Sequence, residues 1–410
     1  MPAFASTAIR RLAQTASLMS SSTTSDVFIL SAARTPIGSF NGSLKKLTAP
    51  ELGTFAAKAA IERAKLQPSQ IEEVYFGNVL QGNIGQAPAR QVALSSGCPD
   101  TTEATTINKV CASGMKSISL AAQNILLGQR GIMLAGGMES MSNAPYYMTR
   151  GAAFGHQQLL DAIVKDGLHD VTNQVHMGNC AENTAKKMTI SREEQDEYAI
   201  ESYRRAAEAW KAGAFKDEIV AVTIKDKKGD IVVAEDEEYK NIKLDKVSTL
   251  RPVFDKNGTV TAANASTLND GASAVILASK EEADKAGAKP LAKIIAFADA
   301  ACAPIDFPIA PAHAIPKALE RAGLKTSDIA LWEINEAFAA VAIANNKLLD
   351  LDPKKVNTLG GGVSLGHPIG SSGARIIVTL AHALQPGQYG CAGVCNVSPL
   401  RLPFFRAPCR

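Results

Sequence analysis

Long apolar runs, disulfide-dense spacing and an excess of either charge are all missing from this 410-residue chain. No stretch of 18 uncharged apolar residues occurs, and the most apolar segments, such as 337–344, are far too short to span a bilayer. The seven cysteines (98, 111, 180, 302, 391, 395 and 409) are dilute, scattered and odd in number, which excludes a secreted disulfide framework and predicts free thiols in a reducing compartment. Cys391 and Cys395 lie four apart with no histidine pair nearby, so no zinc pattern is present. Forty-three basic against 40 acidic residues leave a net charge of +3, too little for a strongly basic nucleic-acid binder. What remains is an ordinary globular balance, 46% apolar and 20% charged, which predicts a soluble protein of two or three domains.

Acids are absent from the first 25 residues, which carry Arg10, Arg11 and ten serines and threonines. An arginine-bearing, hydroxyl-rich, acid-free leader is the composition of a mitochondrial transit peptide, and no uninterrupted apolar core of a secretory signal is present. From Asp26 onward the pattern is α/β. Apolar strands are predicted at 27–33, 71–79, 131–135, 274–278 and 329–334, with a helix over 51–64 where Leu52, Phe55, Ala56, Ala59 and Ala60 recur at helical spacing. Buried strands alternating with amphipathic helices predict a sheet covered on both faces. The charged stretch 191–255, with its Glu-Asp-Glu-Glu run at 235–238, reads as a surface excursion. A second α/β half is expected beyond a boundary near 280–290. The two halves rhyme weakly: Ser113-Gly114-Met115-Lys116 and Ser372-Gly373-Ala374-Arg375 each enter an apolar helix, as duplicated domains would.

Four places can do chemistry. Cys111 sits where an extended Thr-Thr-Ile-Asn segment meets a small-residue turn and a helix, a setting expected to lower its thiol pKa and to supply backbone N–H groups for an oxyanion. An arbitrary cysteine, by contrast, is usually buried and inert. Residues 357–373 hold six glycines around His367, which Pro368 follows; so much glycine suggests a backbone that comes close to a ligand, and no Gly-Lys-Ser/Thr makes it a P-loop. Asn335, after the 329–334 strand, either orients a water or caps the following helix. Cys395 follows the Gly-Cys-Ala-Gly-Val strand.

Together, NKVCASGMKS around Cys111, GGMESMS at 136–142, NEAF at 335–338, GHPIG at 366–370 and the later Cys395 resemble the thiolase family over about 26–396. The resemblance implies a thiolase fold: two similar α/β domains (26–285 and 286–410) in layered αβαβα order, with a loop insertion at about 142–265. It implies reversible Claisen condensation of two acetyl-CoA to acetoacetyl-CoA plus CoA, with thiolysis of 2-methylacetoacetyl-CoA suggested by Phe307. Cys111 would carry the acyl thioester, His367 would take its proton and later help bind the thioester oxygen, Cys395 would deprotonate the second acetyl-CoA, and Asn335 would hold an oxyanion-hole water. Coenzyme A would lie along Tyr203, Asn241, Ile242, Lys243, Lys246 and Ser266, with His176, Met177 and Phe338 at the pantetheine arm. A potassium ion would sit at Tyr203, Ala262, Ala263, Ala265 and Val363, no redox cofactor is needed, and the protein would be a homodimer or homotetramer of the mitochondrial matrix. A broader-chain 3-ketoacyl-CoA thiolase and a catalytically impaired CoA-binding subunit are the alternatives. The second arises because the family's glycines after Cys395-Asn396 are replaced by Val397-Ser398-Pro399, and prolines at 399, 403 and 408 are expected to forbid an interior strand in the tail 397–410.

Overall fold

A computed structural model describes residues 26–151, 154–395 and, as backbone, 400–405; the leader and most of the altered tail lie outside the described residues. The predicted strands are present as Val27–Arg34, Glu73–Gly77, Ile132–Ser140, Asn269–Ser279 and Ile329–Ile334, and the first helix as Ala49–Arg63. They join one mixed sheet whose order runs Ile329–Ile334, Tyr389–Gly393, Leu400–Phe405, Ala292–Ile294, Val27–Arg34, Asn269–Ser279, Ile132–Ser140, Glu73–Gly77 and Glu103–Ile107. Val27–Ile29 pairs with Ala292–Ile294 and so links the two halves.

The layers follow from which side chains are apolar on both sides of that sheet. Helices Ser113–Leu126 and Ile369–Ala383 form the middle layer, where Met115, Ile118, Ala374 and Ile377 pack both with Met133 and Val275 of the first half and with Ala392 and Val394 of the second. Helix Ala49–Arg63 covers the outer face of the first half through Leu52, Ala56 and Ala60. Helix Ala310–Ala322 does the same for the second through Ile315 and Leu319 against Trp332 and Cys391. The order is αβαβα.

The rhyming motifs are the contact between the two middle helices. A Cβ on Gly114 would lie 2.8 Å from Ala374 N, and a Cβ on Gly373 would lie 2.8 Å from Met115 N. The contact is therefore reciprocal, each glycine meeting the residue after its counterpart, as duplicated halves produce.

The insertion leaves the sheet after Ser140 and returns at Asn269, and Ser140 and Asp270 are partners in adjacent antiparallel strands. Such an excursion costs the sheet nothing. Its acidic run is not wholly solvated, contrary to the reading from composition: Asp236 is fully buried and holds Arg34, which it meets at 2.8 and 3.0 Å while Glu218 takes Arg34 Nε at 2.5 Å. Glu237 accepts from the backbone of Ser39 and Ser43. Replacing Arg34 with alanine strands two buried carboxylates, and chemical denaturation should show a loss of about 3–5 kcal/mol.

The tail also corrects an expectation. Leu400–Phe405 is an interior strand despite Pro403, which pairs with Cys391. On the other side, Phe404 and Phe405 pair with Ile294 and Lys293, Leu400 and Arg401 pair with Asp299 and Ala298, and among the described residues the ladder breaks between them. The proline falls in that break, where a missing N–H removes no ladder bond.

Candidate active site

Strand Glu103–Ile107 delivers the chain to a tight turn, and Cys111 stands two residues before the helix Ser113–Leu126. The turn is closed by Ser113, whose hydroxyl accepts from Lys109 N at 2.8 Å and donates to Val110 O at 2.6 Å. Val110 has φ 47°, a left-handed conformation that a β-branched residue adopts only under constraint. Strain of this kind is found where a reactive group is held in place.

His367 comes from the glycine loop of the second half. Its Nε2 is 3.3 Å from Cys111 Sγ, its Nδ1 is 2.5 Å from Ser372 Oγ, and its backbone N–H donates to Asn269 Oδ1 at 2.8 Å. Gly366, at φ +105°, lets the chain turn over Asn269, where a Cβ would fall 2.6 Å from Cγ. The other five glycines of the loop are equally pressed: a Cβ on any of the six would meet a protein atom at 2.3 to 2.8 Å. The loop's glycine therefore serves packing against the protein's own atoms.

Asn335 follows the strand Ile329–Ile334, and its Nδ2 reaches His367 Nε2 at 3.5 Å. It is not a helix cap, because the next helix, Ala339–Leu349, begins after Phe338. Its Oδ1 is buried with no partner among the described residues, an acceptor suited to an ordered water. Cys395 is buried, and the Asn335 side chain and the Ala337 backbone act on its thiol, each favouring the thiolate.

Electrostatics alter one expectation. Burial pushes the Cys111 thiol up to about 12, with the Glu139 charge adding to the rise and only a backbone hydrogen bond opposing it. Desolvation thus outweighs the helix terminus. Burial, aided by the Arg375 charge, lowers His367 to about 3. Cys395 is raised well above the usual thiol range by burial and by Cys111. All three are therefore neutral at rest, and His367 is a free base. Protonation removes that base, so the acylation rate should fall only as pH drops toward about 3. Single-turnover acylation should be flat from about pH 5 to about pH 9. An acid limb centred near 6.5 would show a solvated histidine.

Cys111, His367 and Cys395 line a cavity of about 820 Å³ together with His176, Met177, Ala262, Ala265, Ser266, Phe307 and Phe338, and Asn335 stands behind them off its wall. Tyr203, Ile242 and Val363 do not line it; they pack together in a separate buried cluster with Ala199 and Tyr239. Ala263 is buried off the cavity, and Asn241 donates to Ser39 Oγ at 3.0 Å. Lys243 and Lys246 are exposed, the first just before and the second within the short helical segment Leu244–Thr249.

Three supports were not singled out from the sequence. Glu139, within the quoted GGMESMS, accepts from Val79, Leu80 and Gly370 N–H at 2.9 to 3.1 Å and so ties the loop after Gly77 to the His367 loop. Glu336, within NEAF, accepts from Tyr198, Ser202, Asn357 and Val363. Ser372 opens the Ser372-Gly373-Ala374-Arg375 motif at the end of the His367 loop. All three lay inside recognised motifs, and what their side chains would touch depends on elements far away in sequence.

Comparison with known proteins places the chain in a family. The model of the thiolase N-terminal domain matches residues 27–281, and that of the thiolase C-terminal domain matches residues 288–399. The mitochondrial acetyl-CoA acetyltransferase of Rattus norvegicus is 61% identical over 383 residues, 93% of this chain and 90% of the relative. The acetyl-CoA acetyltransferase of Yarrowia lipolytica is 61% identical over 369 residues, 90% of this chain and 93% of the relative. Among solved structures, the Acat5 thiolase of Ascaris suum in complex with coenzyme A superposes with a TM-score of 0.90 at 50% identity, covering 93% of this chain and 100% of that one. The acetyl-CoA acetyltransferase of Bacillus anthracis gives the same TM-score at 40% identity, covering 94% and 99%.

Proposed function

The chain belongs to the thiolase family and is an acyltransferase, and from that premise we propose that it condenses two acetyl-CoA reversibly to acetoacetyl-CoA and CoA. The observation that carries the reading is the Cys111–His367 contact at 3.3 Å with Cys395 and Asn335 beside it. As Cys111 Sγ attacks the thioester carbonyl, its proton passes to His367 Nε2, and an acetyl–sulfur bond forms on Cys111. The departing CoA sulfur takes the Cys395 proton, which leaves a thiolate there. That thiolate removes a proton from the methyl carbon of the second acetyl-CoA, and the carbanion attacks acetyl-Cys111. The Cys111 thiolate then leaves and recovers its proton from His367. His367 N–H and a water on Asn335 stabilise the developing oxyanions. Both cysteines end as the thiols they began as, and the first CoA leaves as a free thiol.

Ser266, His176, Met177 and Phe338 on the cavity wall support a pantetheine path, and the exposed Lys243 and Lys246 support its phosphate end, whereas Asn241, Ile242 and Tyr203 lie off that wall. A potassium ion at Tyr203, Ala262, Ala263, Ala265 and Val363 suits the donor chemistry, a phenol and backbone carbonyls, which are hard oxygen ligands. Its part would be to steady the Ala-rich loop beside Ser266. Phe307 on the same wall supports thiolysis of 2-methylacetoacetyl-CoA. The exposed apolar side chains Tyr146, Met148, Leu159 and Val171 support a homo-oligomer, dimer or tetramer. The mitochondrial relatives and the acid-free leader support a place in the mitochondrion, in the matrix.

Thiolysis of a chain-length series of 3-ketoacyl-CoA substrates tests the reading. The expected result is the highest kcat/KM on acetoacetyl-CoA; a higher value on an eight-carbon substrate would contradict it.

A further inference from the structure

The His367 imidazole can serve Cys111 only as one of its two tautomers, because a base needs an unprotonated Nε2 facing the thiol. The surroundings decide which. Ser372 has one hydroxyl hydrogen, and its Oγ has two neighbours: Pro368 O at 2.9 Å and His367 Nδ1 at 2.5 Å. The carbonyl oxygen, which also accepts from the Ser371 and Ser372 N–H groups, can only accept, so both contacts are hydrogen bonds only when the hydroxyl hydrogen points to Pro368 and Ser372 Oγ accepts from Nδ1–H. A second observation agrees. The Asn335 amide points Nδ2, a group that only donates, at Nε2 from 3.5 Å. Ser372 is only 1% exposed, so no bulk water competes for the bond, and it lies on the first turn of Ile369–Ala383, the helix held against Gly114.

We propose that Ser372 is a positioning residue that locks His367 in the Nδ1–H tautomer, so that Nε2 presents its lone pair to the Cys111 thiol. The same bond fixes the plane of the ring. It also carries the positive charge that forms when Nε2 takes the proton, since a hydroxyl lone pair facing Nδ1–H strengthens as the ring becomes cationic. Ser372 touches neither substrate nor sulfur; it acts through His367.

The kinetic consequence rests on the acyl-transfer reading, whereas the tautomer is tested without it. Nitrogen-15 NMR of histidine-labelled protein should show His367 with a protonated Nδ1 and a bare Nε2; a protonated Nε2 in the resting protein would overturn the assignment, whatever the activity. In Ser372→Ala the His367 signals should shift to the other tautomer or to a mixture. The rate of Cys111 acylation should fall on the order of 100-fold, the low end of what a positioned base contributes, with KM for the acyl-CoA nearly unchanged. Ser372→Thr, which keeps the hydroxyl, should restore most of the rate. A Ser372→Ala protein with an unshifted spectrum and an undiminished rate would refute the role. So would Ser372→Thr remaining as slow as Ser372→Ala while still folded with the wild-type tautomer. If Ser372→Ala does not fold, the resting wild-type spectrum still decides the tautomer.

Discussion

Replacing Cys111 with serine should lower acetoacetyl-CoA thiolysis by about 10⁴–10⁶-fold while leaving the melting temperature close to that of the parent protein. The substitution exchanges one small, partly buried polar atom for another, so packing against Val79, Leu80 and Ile369 survives. What is lost is a polarisable sulfur that His367 can deprotonate as it attacks. A serine hydroxyl in the same place is a far weaker acid than a thiol. His367→Ala should lose a similar factor, and the double variant should be little worse than either single one, because nucleophile and base act as a unit. Steady-state assays with matched thermal melts check all three. Additive losses in the double variant would mean that the 3.3 Å contact is not used.

The largest effect on stability is expected at a residue with no side chain. Gly137 lies in the strand Ile132–Ser140, and a Cβ there would fall 2.1 Å from Gly370 O and 2.9 Å from Gly114 Cα. Both obstacles are backbone, held by the two middle helices, so neither can swing aside. Gly137→Val should destabilise by more than about 4 kcal/mol, the range reached only by a few kinds of substitution. A fold with roughly 5–15 kcal/mol to spare is put at risk by that loss, and soluble yield should fall. Gly128→Ala is the control. Gly128 has φ +68° but nothing within 4 Å of its Cβ position, so only backbone strain is at stake, about 1 kcal/mol. Denaturant unfolding of the two variants separates close approach from backbone freedom, and equal losses would contradict this account of the sheet–helix contact.

Much of this was readable in advance. Apolar runs between turn signals marked the strands beginning at Val27, Glu73, Ile132, Asn269 and Ile329, because a strand buried on both faces leaves little room for polar residues. The Ser-Gly rhyme pointed to the two middle helices, since only glycine permits their approach. Cys111, His367, Asn335 and Cys395 stood out through motifs, and the fold brings Cys111 and His367 together from 256 residues apart.

What stayed hidden depends on distant neighbours. The 235–238 run looks solvated until Asp236 is seen closing on Arg34, 202 residues earlier. Pro403 looks like a strand breaker until the gap between Ile294 and Ala298 is known. The helix-terminus rule gave the wrong direction for Cys111, because desolvation depends on tertiary packing and outweighs the local dipole. No sequence rule puts a valine in the left-handed region, yet Val110 is held there immediately before the nucleophile.

The central claim is that Cys111 carries the acyl group and that Cys395, once the departing CoA has taken its proton, activates the second acetyl-CoA. Mass spectrometry of peptides from Cys395→Ala protein quenched after exposure to acetyl-CoA tests this most directly. The account predicts an acetyl increment confined to the Cys111 peptide, stable because no base remains to deprotonate the second substrate, and absent from Cys111→Ser. An unmodified Cys111 peptide in protein that still binds CoA, or an acetyl group on another cysteine of the wild-type chain, would contradict it.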